Sequence, residues 1–185
     1  DIDIDIEPKT SINNPKSVHC NDIAKAYDLL KKEKSMLFIG GRFLDEKCLK
    51  LASHIASVTN CRLVTDTFVP KIRRGAGLPI IEQVPYFAEM AELFLADTQS
   101  IVFIGSRPPV SFFAYPDKKS FLSPDSAELF ELCSNDDDGI SALNQLKDLS
   151  GSTKIDEKFI QSYIGDVPTS GDLDATTLGP LLAGL

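Results

Sequence analysis

No run of apolar residues in the sequence approaches the roughly 20 that a membrane-spanning helix needs, and its first residues lack the basic, apolar, small-residue order of a secretion signal. Cysteine is sparse: Cys20, Cys48, Cys61 and Cys133 are scattered with no C-x-x-C pair, which excludes a local zinc or redox motif. Three of the four fall in expected helix or strand, as small buried hydrophobes of a reducing compartment. Only two histidines occur, His19 and His54, and neither has Cys, Asp or Glu at ligand spacing, so no metal site is expected. The G-x-S-x-G, P-loop and H-E-x-x-H patterns are missing, and with them any visible nucleophile, triad or phosphoryl-transfer apparatus. Positive charge is short as well. Nineteen Lys and Arg face 27 Asp and Glu, a net charge of −8, and long-range repulsion turns away both nucleic acid and anionic membrane as partners. Nothing here points away from the cytoplasm.

What is present is a chain of 185 residues, 43% hydrophobic, enough to bury one core. A short apolar run that breaks at glycine occurs twice, as MLFIGG over 36–41 and IVFIGS over 101–106. Neither run alternates, and each follows a stretch of helical spacing, so both read as parallel strands covered on both faces. Around them the pattern predicts a helix capped by Asn21 or Asp22 with Ile23, Tyr27 and Leu30 inward, and a strand over 36–39. A helix over 45–58 stopped by Asn60 and a strand over 61–65 follow. Pro85 suits the first turn of a third helix with Phe87, Met90, Ala91, Phe94 and Leu95 on its apolar side, ahead of a strand over 101–104. Residues 112–115 read as extended, 128–133 as a further strand and 139–149 as a helix. Such alternation with right-handed crossovers gives a three-layer α/β/α, Rossmann-like sandwich of the NAD/FAD-binding kind with a mainly parallel sheet.

In such sheets ligands bind beyond the carboxyl ends of the strands. That places Gly40, Gly41 and Arg42, and likewise Gly105, Ser106 and Arg107, at a candidate site. The two glycines would let the backbone approach a phosphate, and a simple tight turn accounts for them equally, since G-x-G-x-x-G spacing is absent. Thr65, Asp66, Thr67 and Phe68 leave the second strand at the same edge, offering hydroxyls, a carboxylate and a ring, or else capping a turn. The loop that follows gathers Lys71, Arg73 and Arg74 in an acidic chain. It suits an anion, an acidic neighbouring domain, or solvent. Arg107, held by Pro108 and Pro109, suits a phosphate or flavin edge, with structural ion pairing as the competitor. Of Asp136, Asp137 and Asp138, one could accept a ribose hydroxyl and Asp138 is the expected helix cap.

The ends carry connectors: an Asp-Ile alternation over 1–6, a Pro/Asn/Ser stretch over 8–17 and a turn-rich run over 165–171, after which 175–185 turns helical. The expectation is a piece of a longer polypeptide: 1–19 and 151–174 as linkers, 20–150 as the folded domain and 175–185 as the start of a next one.

At these residues, and through the ordered series of segments over 34–116, the chain resembles the central domain of thiamine-diphosphate-dependent enzymes of the acetolactate synthase, benzoylformate decarboxylase and oxalyl-CoA decarboxylase type. The resemblance covers about 22–149. It implies a pyrimidine-binding domain before this one and a pyrophosphate-binding domain after it, which between them hold thiamine diphosphate and Mg²⁺. It also implies a homodimer or homotetramer acting on a small 2-oxo acid, by decarboxylation or carboligation. The cofactor-activating glutamate and the G-D-G…N motif belong to those other domains, so no catalytic or metal residue carries over and this segment by itself is expected to be inactive. What carries over is a position for an ancillary FAD or ADP at Gly40 and Gly41, Thr65 to Phe68, Arg107, and Asp136 to Asp138. A third glycine common to flavin-binding members is Arg42 here, and their M-H-G segment is replaced by Arg73-Arg74-Gly75-Ala76-Gly77. FAD, ADP and a vacant site therefore stand as alternatives, beside a stand-alone nucleotide-binding module or a non-catalytic scaffold.

Overall fold

The computed structural model describes residues 14–113, 116, 119–151, 155–162 and 170–183. The Asp-Ile opening, Tyr115, and most of the 165–171 connector lie outside the described residues. Five strands, β1 (Ser35–Ile39), β2 (Arg62–Thr65), β3 (Glu82–Gln83), β4 (Ser100–Ile104) and β5 (Glu128–Cys133), form one sheet in the order β3-β2-β1-β4-β5. Every pairing is parallel. The two glycine-terminated runs lie side by side at its centre as β1 and β4, buried along their whole length, whereas the edge strand β5 is exposed over its first half.

Helices α1 (Cys20–Leu30), α2 (Glu46–Thr59) and α4 (Gly139–Ser150) lie together on one face, packing Leu29, Leu30, Leu49, Ile55, Leu143 and Leu146 onto Leu37, Ile39, Val102 and Ile104. Among the described residues the other face carries one helix, α3 (Ala88–Leu95), whose Ala91 and Leu95 meet Met36, Phe38, Ile101 and Phe103. The expected three-layer, Rossmann-like sandwich is thus what forms, with unequal outer layers. A last helix, α5 (Ala175–Ala183), follows.

Local chemistry explains most boundaries. The Asp45 carboxylate accepts from the Cys48 N–H at 2.8 Å to start α2, and Asn60 ends it in the left-handed region at φ 58°. Asp138 starts α4 by accepting from Ser141 N–H at 3.0 Å, and Gly151 ends it at φ 65°. Three details differ from the sequence expectation. The cap of α1 is His19, whose ring nitrogen accepts from Asn21 N–H at 3.2 Å, because the helix begins one residue ahead of the Asn/Asp pair. Strand β3 has two residues and is too short for a periodicity to register. Pro85 stands ahead of α3, which begins at Ala88, so Phe87 and Met90 are exposed instead of turned inward. The three cysteines expected in helix or strand, Cys48, Cys61 and Cys133, are buried as expected and Cys20 is exposed; burial pushes the Cys48 and Cys133 thiols up to about 12 and that of Cys61 to about 11.

Two segments outside the sheet tie the ends down. Lys16 N–H donates to Asp136 O at 3.4 Å and its carbonyl accepts from Asp138 N–H at 2.8 Å. After α4, residues 155–161 run back beside α2, where Asp156 N–H donates to the Ser57 hydroxyl at 2.7 Å. They then pair with the loop after β2: Gly77 N–H donates to Gln161 O, Gln161 N–H to Leu78 O and Ile80 N–H to Phe159 O, each at 2.8 Å.

Candidate functional site

From β1 the chain winds outward through β2 and β3 in one direction, and β4 and β5 lie in the other, so the switch of direction falls between β1 and β4. The expected site residues do gather at the carboxyl ends of these strands. Gly40 N–H donates to Ile104 O at 2.9 Å and Gly105 N–H to Cys133 O at 2.9 Å, holding the exits of β1, β4 and β5 level. Above Gly40 the Ser106 hydroxyl donates to Asp66 Oδ2 at 2.6 Å. Burial pushes the Asp66 carboxyl above its usual range, against the stabilising pull of that hydroxyl. Thr65 is fully buried at the end of β2, and its hydroxyl oxygen has no partner among the described residues.

The remaining expected residues separate into two places. Asp66, Thr67, Phe68 and Arg107 line one cavity of about 290 Å³, closed by Tyr86, Pro109 and Phe112. It abuts a trough of about 450 Å³ lined by Tyr86, Phe87, Phe112 and Phe113. The rings of Phe68, Tyr86 and Phe112 lie 5.1–6.0 Å apart in tilted and edge-on contacts. Gly41 and Arg42 lie on the other side of the β1 exit. The Arg42 N–H donates to Asn135 Oδ1 at 3.2 Å, and its guanidinium donates to Asp137 O at 2.6 Å while lying over the Phe43 ring. With Lys71 and Arg73 these two residues line a second cavity of about 280 Å³. Asp137 is bound locally: its Oδ2 accepts from the Ser134 N–H at 2.7 Å and the Ser134 hydroxyl at 2.8 Å, which hold its carboxyl below the usual range. Asp136 is exposed nearby and neither aspartate lines the Asp66 cavity.

Sequence reasoning missed Asn135, Phe43, Tyr86 and Phe112. Asn135 bridges the two exits, since its Nδ2 also donates to Gly105 O at 3.1 Å. The available signal was an amide directly after a strand at the level of two glycine turns. Tyr86 and Phe112 gave none, because they meet Phe68 only when three separate loops come together.

A ligand reaching the backbone of these glycines would meet the chain's own side chains. A Cβ on Gly41 would stand 2.0 Å from Asn135 Oδ1, one on Gly40 2.8 Å from Asp66 Oδ2, and one on Gly105 2.4 Å from the Phe43 ring. The space that a phosphate would need holds the chain's own side chains, one of them a carboxylate. The aromatic cavity with Arg107 does fit a planar ring carrying negative charge. Among the described residues no group of three or more His, Cys, Asp or Glu is placed to hold a metal ion, and no helix is long and apolar enough to cross a membrane.

The architecture is that of a Rossmann-like α/β domain with its crevice at the switch point. No family model matches the sequence. A Mycobacterium tuberculosis protein carrying the provisional name acetolactate synthase large subunit IlvX is 40% identical over 100 residues, which are 54% of this chain and 19% of that protein. In fold, the chain is similar to the Rhodococcus jostii thiamine diphosphate-dependent 4-hydroxybenzoylformate decarboxylase, with a TM-score of 0.56 and 14% identity over 90% of this chain and 33% of that one. It is likewise similar to a Mycobacterium smegmatis protein classed as a thiamin diphosphate-dependent enzyme, with a TM-score of 0.54 and 14% identity over 89% and 32%. The likeness to a protein named for acetolactate synthase therefore holds in sequence over 100 residues, and the fold is one found in two thiamine diphosphate-dependent proteins. The chain spans about a fifth of the curated relative and a third of the solved structures.

Proposed function

We propose that this chain is the Rossmann-like middle domain of an acetolactate synthase-like, thiamine-diphosphate-dependent enzyme that decarboxylates or ligates a small 2-oxo acid. The observation that carries the reading is the 40% identity over 100 residues to the protein named for acetolactate synthase, joined to a fold shared with two thiamine diphosphate-dependent proteins. Flanking domains of the same polypeptide hold thiamine diphosphate and Mg²⁺. The cofactor supplies the electron sink when bound, and the residues of this domain hold the flanking domains at their spacing and wall the substrate pocket. The parent is a cytoplasmic homodimer or homotetramer without nucleic-acid or membrane partners. An ancillary nucleotide, FAD or ADP, lays its ring system in the cavity of Asp66, Thr67, Phe68, Tyr86, Arg107 and Phe112.

The test is turnover by the polypeptide that carries this segment. Carbon dioxide release from a panel of 2-oxo acids, dependent on added thiamine diphosphate and Mg²⁺, is expected; no turnover with cofactor demonstrably bound overturns the reading. For the nucleotide, Arg107→Ala is expected to weaken FAD or ADP affinity in a fluorescence titration, and equal affinity removes Arg107 from the site.

A further inference from the structure

Four rings, those of Tyr86, Phe87, Phe112 and Phe113, wall the trough of about 450 Å³. They come from two loops, one leading into α3 and one following β4. Tyr86 and Phe87 meet at 5.2 Å with their planes 76° apart, and Phe112 and Phe113 at 4.8 Å and 86°. Planes set so steeply make walls at an angle, not one flat stack, and a ligand between them meets rings from more than one direction. All four residues are 45–62% exposed, so the chain's own core leaves much of their ring surface uncovered.

The charged and polar groups of the trough select the kind of ligand. Among the described residues its walls hold no Lys, Arg or His, and Arg107 lines the adjoining cavity and not this one. The carboxylate in the wall is that of Glu89, in the first turn of α3, where it offsets the positive end of that helix. The Ser111 hydroxyl already donates to Phe113 O at 2.8 Å. An anion entering here meets no cation in a chain of net charge −8, whereas a cation meets the negative faces of aromatic rings beside a carboxylate. The same walls offer few acceptors for N–H groups. A bare ammonium would lose water without recovering its hydrogen bonds, but one whose hydrogens are replaced by methyl groups has none to lose and packs its methyls on the rings.

We infer that this trough is a binding site for a small N-methylated or quaternary ammonium cation, held on the rings of Tyr86, Phe87, Phe112 and Phe113 with Glu89 beside it. The inference stands apart from the parent's chemistry and from any nucleotide in the adjoining cavity.

Proton NMR titration of choline with the full chain tests it, because N-methyl groups lying on ring faces are moved upfield by the ring currents. A saturable upfield shift is expected. The neutral isostere of choline, with carbon in place of nitrogen, is expected to bind about tenfold more weakly or worse, as removal of the charge implies. Phe87→Leu with Phe113→Leu keeps apolar volume and is expected to weaken choline by about tenfold. Phe87→Tyr with Phe113→Tyr is expected to retain it, which separates lost ring faces from a disturbed fold. Equal binding of the isostere would make the trough an ordinary apolar slot and overturns the site. So does unchanged choline affinity in the leucine double variant. Absence of a saturable shift overturns it as well, and sedimentation of the same sample then tells whether a second copy covers the rings. Turnover, and the FAD or ADP titration of Arg107→Ala, are read separately, so failure of either leaves this result standing.

Discussion

At Gly105 the backbone has φ 64°, and the nearest atoms to a built Cβ are the Phe43 ring at 2.4 Å and the Gly40 carbonyl at 2.8 Å. Ring and backbone cannot both retreat, so Gly105→Ala is expected to cost about 2 kcal/mol or more from left-handed strain and overpacking together, read from urea denaturation. A loss below about 0.5 kcal/mol would mean the turn relaxes freely. Asp66 gives the opposite sign. Its folded pKa lies above the ordinary value of 3.8 because of burial, so the folded chain holds that proton more tightly than the unfolded chain does. Below both values the group contributes nothing to the pH dependence; as pH rises through them, stability is lost. Asp66→Asn should therefore melt higher than the parent at neutral pH, with the gain shrinking toward pH 3, and a gain independent of pH would show that the carboxylate is not responsible. The strand-end glycines were legible in the sequence. Of their partners Ser106 and Asp66 were read at the same edge, but Phe43 and Asn135 were not, because they meet the glycines only once three strands are aligned.

The elements were legible in proportion to how far burial alone dictates them. The runs 36–39 and 101–104 are apolar on both faces because both faces of β1 and β4 are covered, and they were read almost to the residue; β5 and α4 were found at their observed starts. Helix α3 was found, but its start and its inward side were misjudged, since a helix of eight residues on an underfilled face shows apolar residues all round. The same helix offers a contrast. Leu95 is fully buried and Leu93 is 79% exposed. Leu95→Ala is expected to cost about 2–5 kcal/mol, whereas Leu93→Ala should fall within about 0.5 kcal/mol of the parent. Similar losses for both would mean that another surface covers Leu93 in solution.

For the molecule as a whole, three helices on one face and one short helix on the other leave an apolar flank. Phe68, Phe87 and Phe112 are each at least 60% exposed and join through Tyr86 into one contiguous set of rings. Exposed patches of this kind mark contact surfaces; if the homo-oligomer proposed above forms, this flank is a candidate subunit contact as well as the rim of the ring cavity. Phe87→Ser with Phe112→Ser should shift sedimentation toward smaller species at an unchanged melting temperature. An unaltered assembly would remove this flank from the contacts. None of this asymmetry was legible in the sequence, because a phenylalanine on an exposed rim and one in a core look alike until the covering layer is counted.

The backbone bonds between residues 159–161 and the loop at 77–80 make a mechanical coupling. A displacement of the segment downstream of α4 would be passed to the β2–β3 loop, the one that carries Lys71 and Arg73, at a point two residues ahead of β3.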